Sequence, residues 1–362
     1  MKDGVYKLIK KAESLRDRSE YIDSLKLYKR ALYISKRYGM IDGILDSTIA
    51  IADIYRMVGK FDEAVKKYEE AIGACEALGN RLTAADCMVG MGLSLRAMGM
   101  WRDAIRFISA ARKIYEKEKD KKGTAFSLWA EAGALRVAGD ITRAIKKFNE
   151  SKNIFSSAKD TSGAAYSLCG LGGAHRIAGK FKESMNYYKQ ANETFRTLKD
   201  KFGIAYSHCG IGNAFRMAGD YRNALKHFER ASVLYGEIGD VVSYSYTLWS
   251  LANVHKMKMD IANAKFYITK ALRNFKKTKD PRGIIYCDLT RGELDFMDGR
   301  KRVAEKRFIS AMMSAERHGF KLEKCYSNLL LMGIKGRIPK APSCYKDIGI
   351  DLDFTGIPFN MP

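Results

Sequence analysis

Between residues 41 and 320, small, apolar and polar positions recur every 40 residues without an insertion or deletion. Gly59, Gly99, Gly139, Gly179, Gly219 and Gly299 share one register, and Met259 takes the same place in the remaining unit. Five residues on stand Ala64, Ala104, Ala144, Ser184, Ala224, Ala264 and Ala304. Four further on comes a bulky residue: Tyr68, Ile108, Phe148, Tyr188, Phe228, Ile268 or Phe308. A fixed period of this length is the signature of stacked supersecondary units that bury their apolar faces on one another. Inside the unit, apolar residues at 61, 64, 65, 68, 71 and 72 have the alternating three- and four-residue spacing of an amphipathic helix.

The helix ends are written in the same register. Each recurrent Gly fits the left-handed position that ends the first helix of a unit. Asp140, Asp220 and Asp260 follow it and predict N-caps for the second helix. Asp120, Asp160, Asp200, Asp240 and Asp280 predict N-caps for the next first helix, and Pro281 fits the first helical position behind Asp280. Ala52, Gly92, Ala132, Gly172, Gly212, Ala252 and Gly292 let paired helices approach closely, while the bulky residue fills the seam to the next hairpin. The pattern predicts an all-α solenoid: residues 1–40 as a degenerate N-terminal capping hairpin, 41–320 as seven 40-residue repeats, 321–335 as a C-terminal capping helix, and 336–362 as an extended tail.

The segment "GIGNAFRMAGDYRNALKHFERA" (210–231) resembles the tetratricopeptide repeat, with its order of small residue, aromatic, Gly, aromatic and Ala. The 40-residue period is similar to the longer repeats of G-protein-signalling modulators and kinesin light chains and of some bacterial peptide-sensing regulators. The resemblance covers residues 1–335. It implies a right-handed superhelix whose first helices line a concave groove used for protein or peptide binding.

Positions 46, 49, 53 and 56 share one face of the first helix. At the fourth of these stand Arg56, Arg96, Arg136, Arg176, Arg216 and Lys256, a ladder of cations. The first gives Tyr166, Tyr206, Tyr246 and Tyr286, the second Trp129 and Trp249, the third Asn213 and Asn253. Guanidinium forks suit carboxylates, amides suit a peptide backbone, and tyrosines offer flat apolar area with a polar tip. The groove is therefore expected to hold an extended acidic segment with apolar anchors. A plainer role stands beside it: each cation lies in the last turn of its helix, where it complements the dipole by roughly 0.3–1 kcal/mol, and the tyrosines can be seam packing.

Charge and cysteines then narrow the picture. Lys and Arg number 64 against 41 Asp and Glu, a net charge of +23. This favours acidic peptides, nucleic acid or anionic surfaces as partners. Lys66, Lys67, Arg106, Lys146, Lys147 and Lys226 recur on the second helices, so the alternative function is nucleic-acid association through a basic convex surface. The seven cysteines are odd in number and contain no CxxC, which predicts reduced thiols and a cytoplasmic protein. No metal ligand set, phosphate loop or nucleophile–base pair appears, so no cofactor, metal or catalytic residue is expected, and no run of apolar residues is long enough to span a membrane. His175 and His255 read as packed structural residues. His208, His227 and His318 show no companions at ligand spacing. Glu131 and Arg291 break apolar positions and require partners.

The tail from Asp347 to Pro362 carries Asp347, Asp351 and Asp353, no base, and apolar residues such as Ile348, Ile350 and Phe359. It matches the ligand that the groove is expected to take. The alternatives are docking of residues 347–362 into the chain's own groove or a neighbour's, in competition with a partner, or a flexible tail or a strap lying on the last helix.

Overall fold

The computed structural model describes residues 2–18, 20–337, 343–350 and 356–361. Every regular element among the described residues is an α-helix. Eight antiparallel hairpins follow one another: α1/α2 (Lys2–Asp17, Tyr21–Arg37), α3/α4 (Ile41–Met57, Phe61–Ala77), α5/α6 (Arg81–Ala97, Trp101–Lys117), α7/α8 (Lys121–Ala138, Ile141–Ser157), α9/α10 (Thr161–Ile177, Phe181–Leu198), α11/α12 (Lys201–Met217, Tyr221–Ile238), α13/α14 (Val241–Met257, Ile261–Thr278) and α15/α16 (Pro281–Met297, Lys301–His318). Helix α17 (Lys321–Ile334) covers the last hairpin, and one turn, α18 (Ser343–Lys346), lies on α17.

The turns explain the strict period. From Gly39 to Gly319, every twentieth residue has a positive φ. Glycine supplies most of these positions, but Lys119, Lys159, Lys199, Met259 and Lys279 take the same left-handed turn. After eight of these turns an aspartate carboxylate accepts a hydrogen bond from the backbone N–H three residues on. Asp120, Asp160, Asp200, Asp240 and Asp280 do so for first helices, and Asp140, Asp220 and Asp260 for second helices.

The seam is a ring laid against glycine. A Cβ at Gly210 would fall 2.1 Å from the Tyr188 ring, and one at Gly172 2.8 Å from the same ring. Tyr188 thus fills the space between its own first helix and the next one. Phe148 meets Gly170 in the same way, and Tyr68 meets Gly90.

The superhelix coils far enough to touch itself. Trp101 Nε1 donates to the His318 carbonyl at 3.0 Å, and Lys279 pairs with Asp62 at 2.6 Å. Gly59 abuts Thr278, and Gly139 abuts Lys321. One wall of the coil therefore closes over the other and encloses the inner channel.

One expectation is corrected here. Cys325 and Cys344 form a disulfide, with their Cα atoms 5.8 Å apart. Tyr345 on α18 packs edge-on against Tyr326 of α17, which brings the two cysteines together. Nothing in their spacing signals this. Cys75, Cys87, Cys169, Cys209 and Cys287 are free thiols, and all but Cys209 are buried. Among the described residues no helix is long and apolar enough to cross a membrane.

Candidate binding channel

First helices line the channel. Two adjoining cavities of about 550 and 260 Å³ lie inside it, and both are bordered by Arg96, Arg136 and Tyr206. The cation ladder stands along this wall because position 56 and its equivalents fall on the inner face of every first helix.

The ladder is longer than the six rungs read from the sequence. Arg16, 40 residues before Arg56, belongs to it and lies 3.9 Å from Asp53. At the other end Lys256 contacts Glu293 at 2.6 Å, thirty-seven residues on. The outer rungs thus have an acid at the facing position of the next hairpin. Arg56 is tied in as well: its Nε donates to the Tyr68 hydroxyl, which donates to Asp53 at 2.6 Å. Continuing the register back by one period would have found Arg16.

The middle rungs differ. The facing positions are Gly133 and Gly173, where a Cβ would stand 2.2 Å from Arg96 Nη1 and 2.3 Å from Arg136 Nη1. The missing side chains make room for the guanidiniums and provide no counter-charge. Arg176 faces Asn213, but the Asn213 carbonyl is occupied by Arg216 Nη2 at 3.1 Å and Ser250 Oγ at 3.2 Å. Nε of Arg136, and Nε and Nη1 of Arg176, are buried without a hydrogen-bond partner. Burial, and secondarily Arg136, lowers Arg96 to about 10.

Arg216 and Lys256 are fully buried, and what buries them is the C-terminal segment. Arg216 Nη1 donates to Asn360 Oδ1 at 2.5 Å, and Nη2 donates to the Met361 carbonyl at 2.7 Å. Asn360 Nδ2 returns a bond to the Arg216 carbonyl at 2.9 Å. Lys256 Nζ donates to the Phe359 carbonyl at 2.8 Å, and the Phe359 N–H donates to Glu293 Oε1 at 2.5 Å. Burial, and secondarily Arg176, lowers Arg216 to about 9. Burial also pushes the Glu293 carboxyl up, against the pull of Lys256. These contacts are to amides and main chain rather than to acids. Asp351 and Asp353 lie outside the described residues, and Asp347 is exposed. Residues 343–346 lie on α17 and Gly349 lies beside Thr142 of α8, with Ile348 and Ile350 buried, so the strap and the groove segment are two parts of one tail.

The tyrosines divide by role. Tyr166 and Tyr246 donate to Asp200 and Asp280, the N-cap carboxylates of the following hairpins, at 2.7 and 2.9 Å. Tyr286 is buried, accepts from Arg282 Nη2 and packs on Trp249. Tyr206 is half-buried on the channel wall. Trp129 stacks on Phe126 and donates to the Tyr166 carbonyl, whereas Trp249 is buried and donates to Thr290. Asn213 borders the smaller cavity and Asn253 is buried, and their amide N–H groups are already engaged. Both donate to carbonyls of their own helices, Cys209 and Trp249, because a helical amide reaches back one turn.

His175 and His255 are bonded to the Leu171 carbonyl and Asp260, and Glu131 is met by Arg112 and Lys147. His208 and His227, on α11 and α12, have their Nδ1 atoms 2.9 Å apart, a pairing that their 19-residue separation did not reveal. Among the described residues no group of three or more His, Cys, Asp or Glu could hold a metal. On the second helices Lys67, Arg106 and Lys147 pair with Glu70, Asp103 and Glu150.

The tetratricopeptide repeat family model matches residues 7–77 and 43–117. The hairpins beyond continue the same fold without a change of period. Residues 7–117 thus match the tetratricopeptide repeat, and the chain as a whole has the fold of an α-solenoid of tetratricopeptide-type hairpins. Similar solved structures share this fold at low identity. A Rap protein complexed with competence and sporulation factor aligns at TM-score 0.60 and 14% identity, over 93% of this chain and 99% of that one. The Rap conjugation gene regulator of plasmid pLS20, in complex with the Phr* peptide, aligns at TM-score 0.66 and 12% identity, over 87% and 95%. Aspartyl phosphate phosphatase F from Bacillus subtilis aligns at TM-score 0.56 and 13% identity, over 82% and 79%. No curated protein matches the solenoid in sequence.

Proposed function

We propose that this solenoid is a non-catalytic scaffold that holds an extended protein or peptide segment in its inner channel. In this reading its own C-terminal residues occupy one end of the channel and compete with the partner. The observation that carries it is the grip of Arg216, Lys256 and Glu293 on the main chain of Phe359–Met361. Main-chain hydrogen bonds of this kind accept many sequences, while pockets for alternate side chains select among them. Phe359 and Met361 are buried in that end of the channel and would be the anchors that a partner has to mimic. The peptide-bound Rap structures support the reading, since each is named as a peptide or factor complex on this fold. The preference for acidic partners rests on the middle arginines, which form no ion pair with an acid among the described residues.

The test uses a synthetic peptide of residues 347–362 added to the full chain and to a Phe359→Asp, Met361→Asp variant. Titration calorimetry should show the peptide binding the variant at least tenfold more tightly than the intact chain. Adding Arg216→Met to the variant should abolish that binding. A folded variant that takes up no peptide would overturn the reading.

A further inference from the structure

The geometry points to an oxyanion site at Arg96, Arg136 and Arg176, which takes a carboxylate or phosphoryl group carried on a side chain of the bound peptide. This deepens the proposed function and rests on it.

The ladder shows how the solenoid satisfies a cation internally. Arg16 faces Asp53, and Lys256 faces Glu293. The same position facing Arg96 and Arg136 is glycine, and the amide facing Arg176 is taken by Arg216. The three central rungs are consecutive, so their forks stack on one wall. Arg136 Nε and Arg176 Nε and Nη1 have neither solvent nor a protein acceptor. Buried donors in native structures are nearly always paired, and buried like charges repel, so such a group is held for a ligand that supplies acceptors and negative charge.

The acids that share these cavities do not supply it. Asp240 accepts from Ser243 N, and Asp280 accepts from Gly283 N and Tyr246 Oη. Both cap first helices on the opposite wall. The cavity beside Arg96 and Arg136 is about 550 Å³ and is walled by Phe126, Trp129, Tyr166 and Tyr206. That volume suits a few side chains and excludes a folded domain. Aromatic walls beside forked cations fit an apolar stem that ends in an oxyanion.

The experiment uses the full chain and an Arg136→Met, Arg176→Met variant. Three probes are titrated: inorganic phosphate, an Asp-containing decapeptide with its Asn counterpart, and the same decapeptide bearing phosphotyrosine. Tryptophan fluorescence, to which Trp129 on the cavity wall contributes, reports binding, and thermal melting reports stability. The Asp or phosphotyrosine peptide should bind at least tenfold more tightly than the Asn peptide, and the variant should lose that difference. The variant should also melt higher than the parent, because it removes unpaired like charges, whereas a purely structural pair of arginines would make it melt lower. Preference for Asp over phosphotyrosine assigns the site to carboxylates, and the reverse assigns it to phosphoryl groups. Binding of phosphate alone, lost in the variant, keeps the anion site and removes the peptide reading. Equal affinity for the Asp, Asn and phosphotyrosine peptides overturns the anion site and leaves the peptide channel standing. A lower melting temperature with unchanged binding overturns it as well.

Discussion

At Gly210 an added methyl group would meet the Tyr188 ring at 2.1 Å, where the ring is already wedged between two first helices. At Gly173 the nearest atom would be Arg136 Nη1 at 2.3 Å, the far end of a flexible side chain. Gly210→Ala is therefore expected to cost about 1–3 kcal/mol by overpacking, and Gly173→Ala much less, as urea unfolding would measure. Equal losses would mean that the arginine is as fixed as the ring. Lys256 and Glu293 allow a second contrast. Lys256→Met strands a buried carboxylate and should cost about 3–5 kcal/mol, while Lys256→Met with Glu293→Met should recover most of it. His208 titrates differently. Burial, then His227, lowers its folded pKa to about 4. Burial lowers His227 as well, and Arg196, Arg230 and Lys189 act in the same direction on one or the other ring. The unfolded chain thus binds protons first as pH falls, so this contribution is complete above about 6.5 and is lost toward 4. In His208→Phe the melting temperature should fall less steeply across that window; an unchanged slope would place the acid sensitivity elsewhere.

The hairpin is the element that the sequence describes best, because its signals are local. The caps at Asp140, Asp220 and Asp260, the left-handed Gly139 and Gly219, and the amphipathic spacing of α4 all act within one or two turns of helix. At several turns between hairpins the sequence marked the Asp cap but not the left-handed residue before it. Lys119, Lys159, Lys199 and Lys279 adopt positive φ although a side chain disfavours it, since the Asp cap and the packing of two helices leave no alternative. Lys159→Gly and Lys199→Gly should each raise stability, by up to about 1 kcal/mol, which thermal melts can read. A loss would show that the lysine side chain makes a contact worth more than the strain. Conversely, Asp200 both caps α11 and accepts from Tyr166. Asp200→Ala should cost about 1–2 kcal/mol, and roughly half of that loss should vanish in a Tyr166→Phe background.

Across the whole molecule the coil closes on itself through contacts such as Trp101 with His318 and Lys279 with Asp62, more than two hundred residues apart. Trp101→Ala with Lys279→Ala should leave helical content unchanged while small-angle scattering shows a larger radius of gyration. An unchanged radius would mean that the hairpin seams alone fix the pitch. The sequence by itself determined the repeat, the helix ends and which residues share the inner face, because each follows from spacing along one helix or from one cap. It also aligned the cations of the ladder, though not their fates. Whether a rung is paired with an acid, bound to the tail or left without a partner depends on the residue facing it in the next hairpin, and no spacing within one helix reveals that. The Cys325–Cys344 bond, the His208–His227 contact and the seat of Phe359–Met361 were likewise decided only by tertiary structure. Each joins elements whose proximity arises from the accumulated rotation of hairpin upon hairpin.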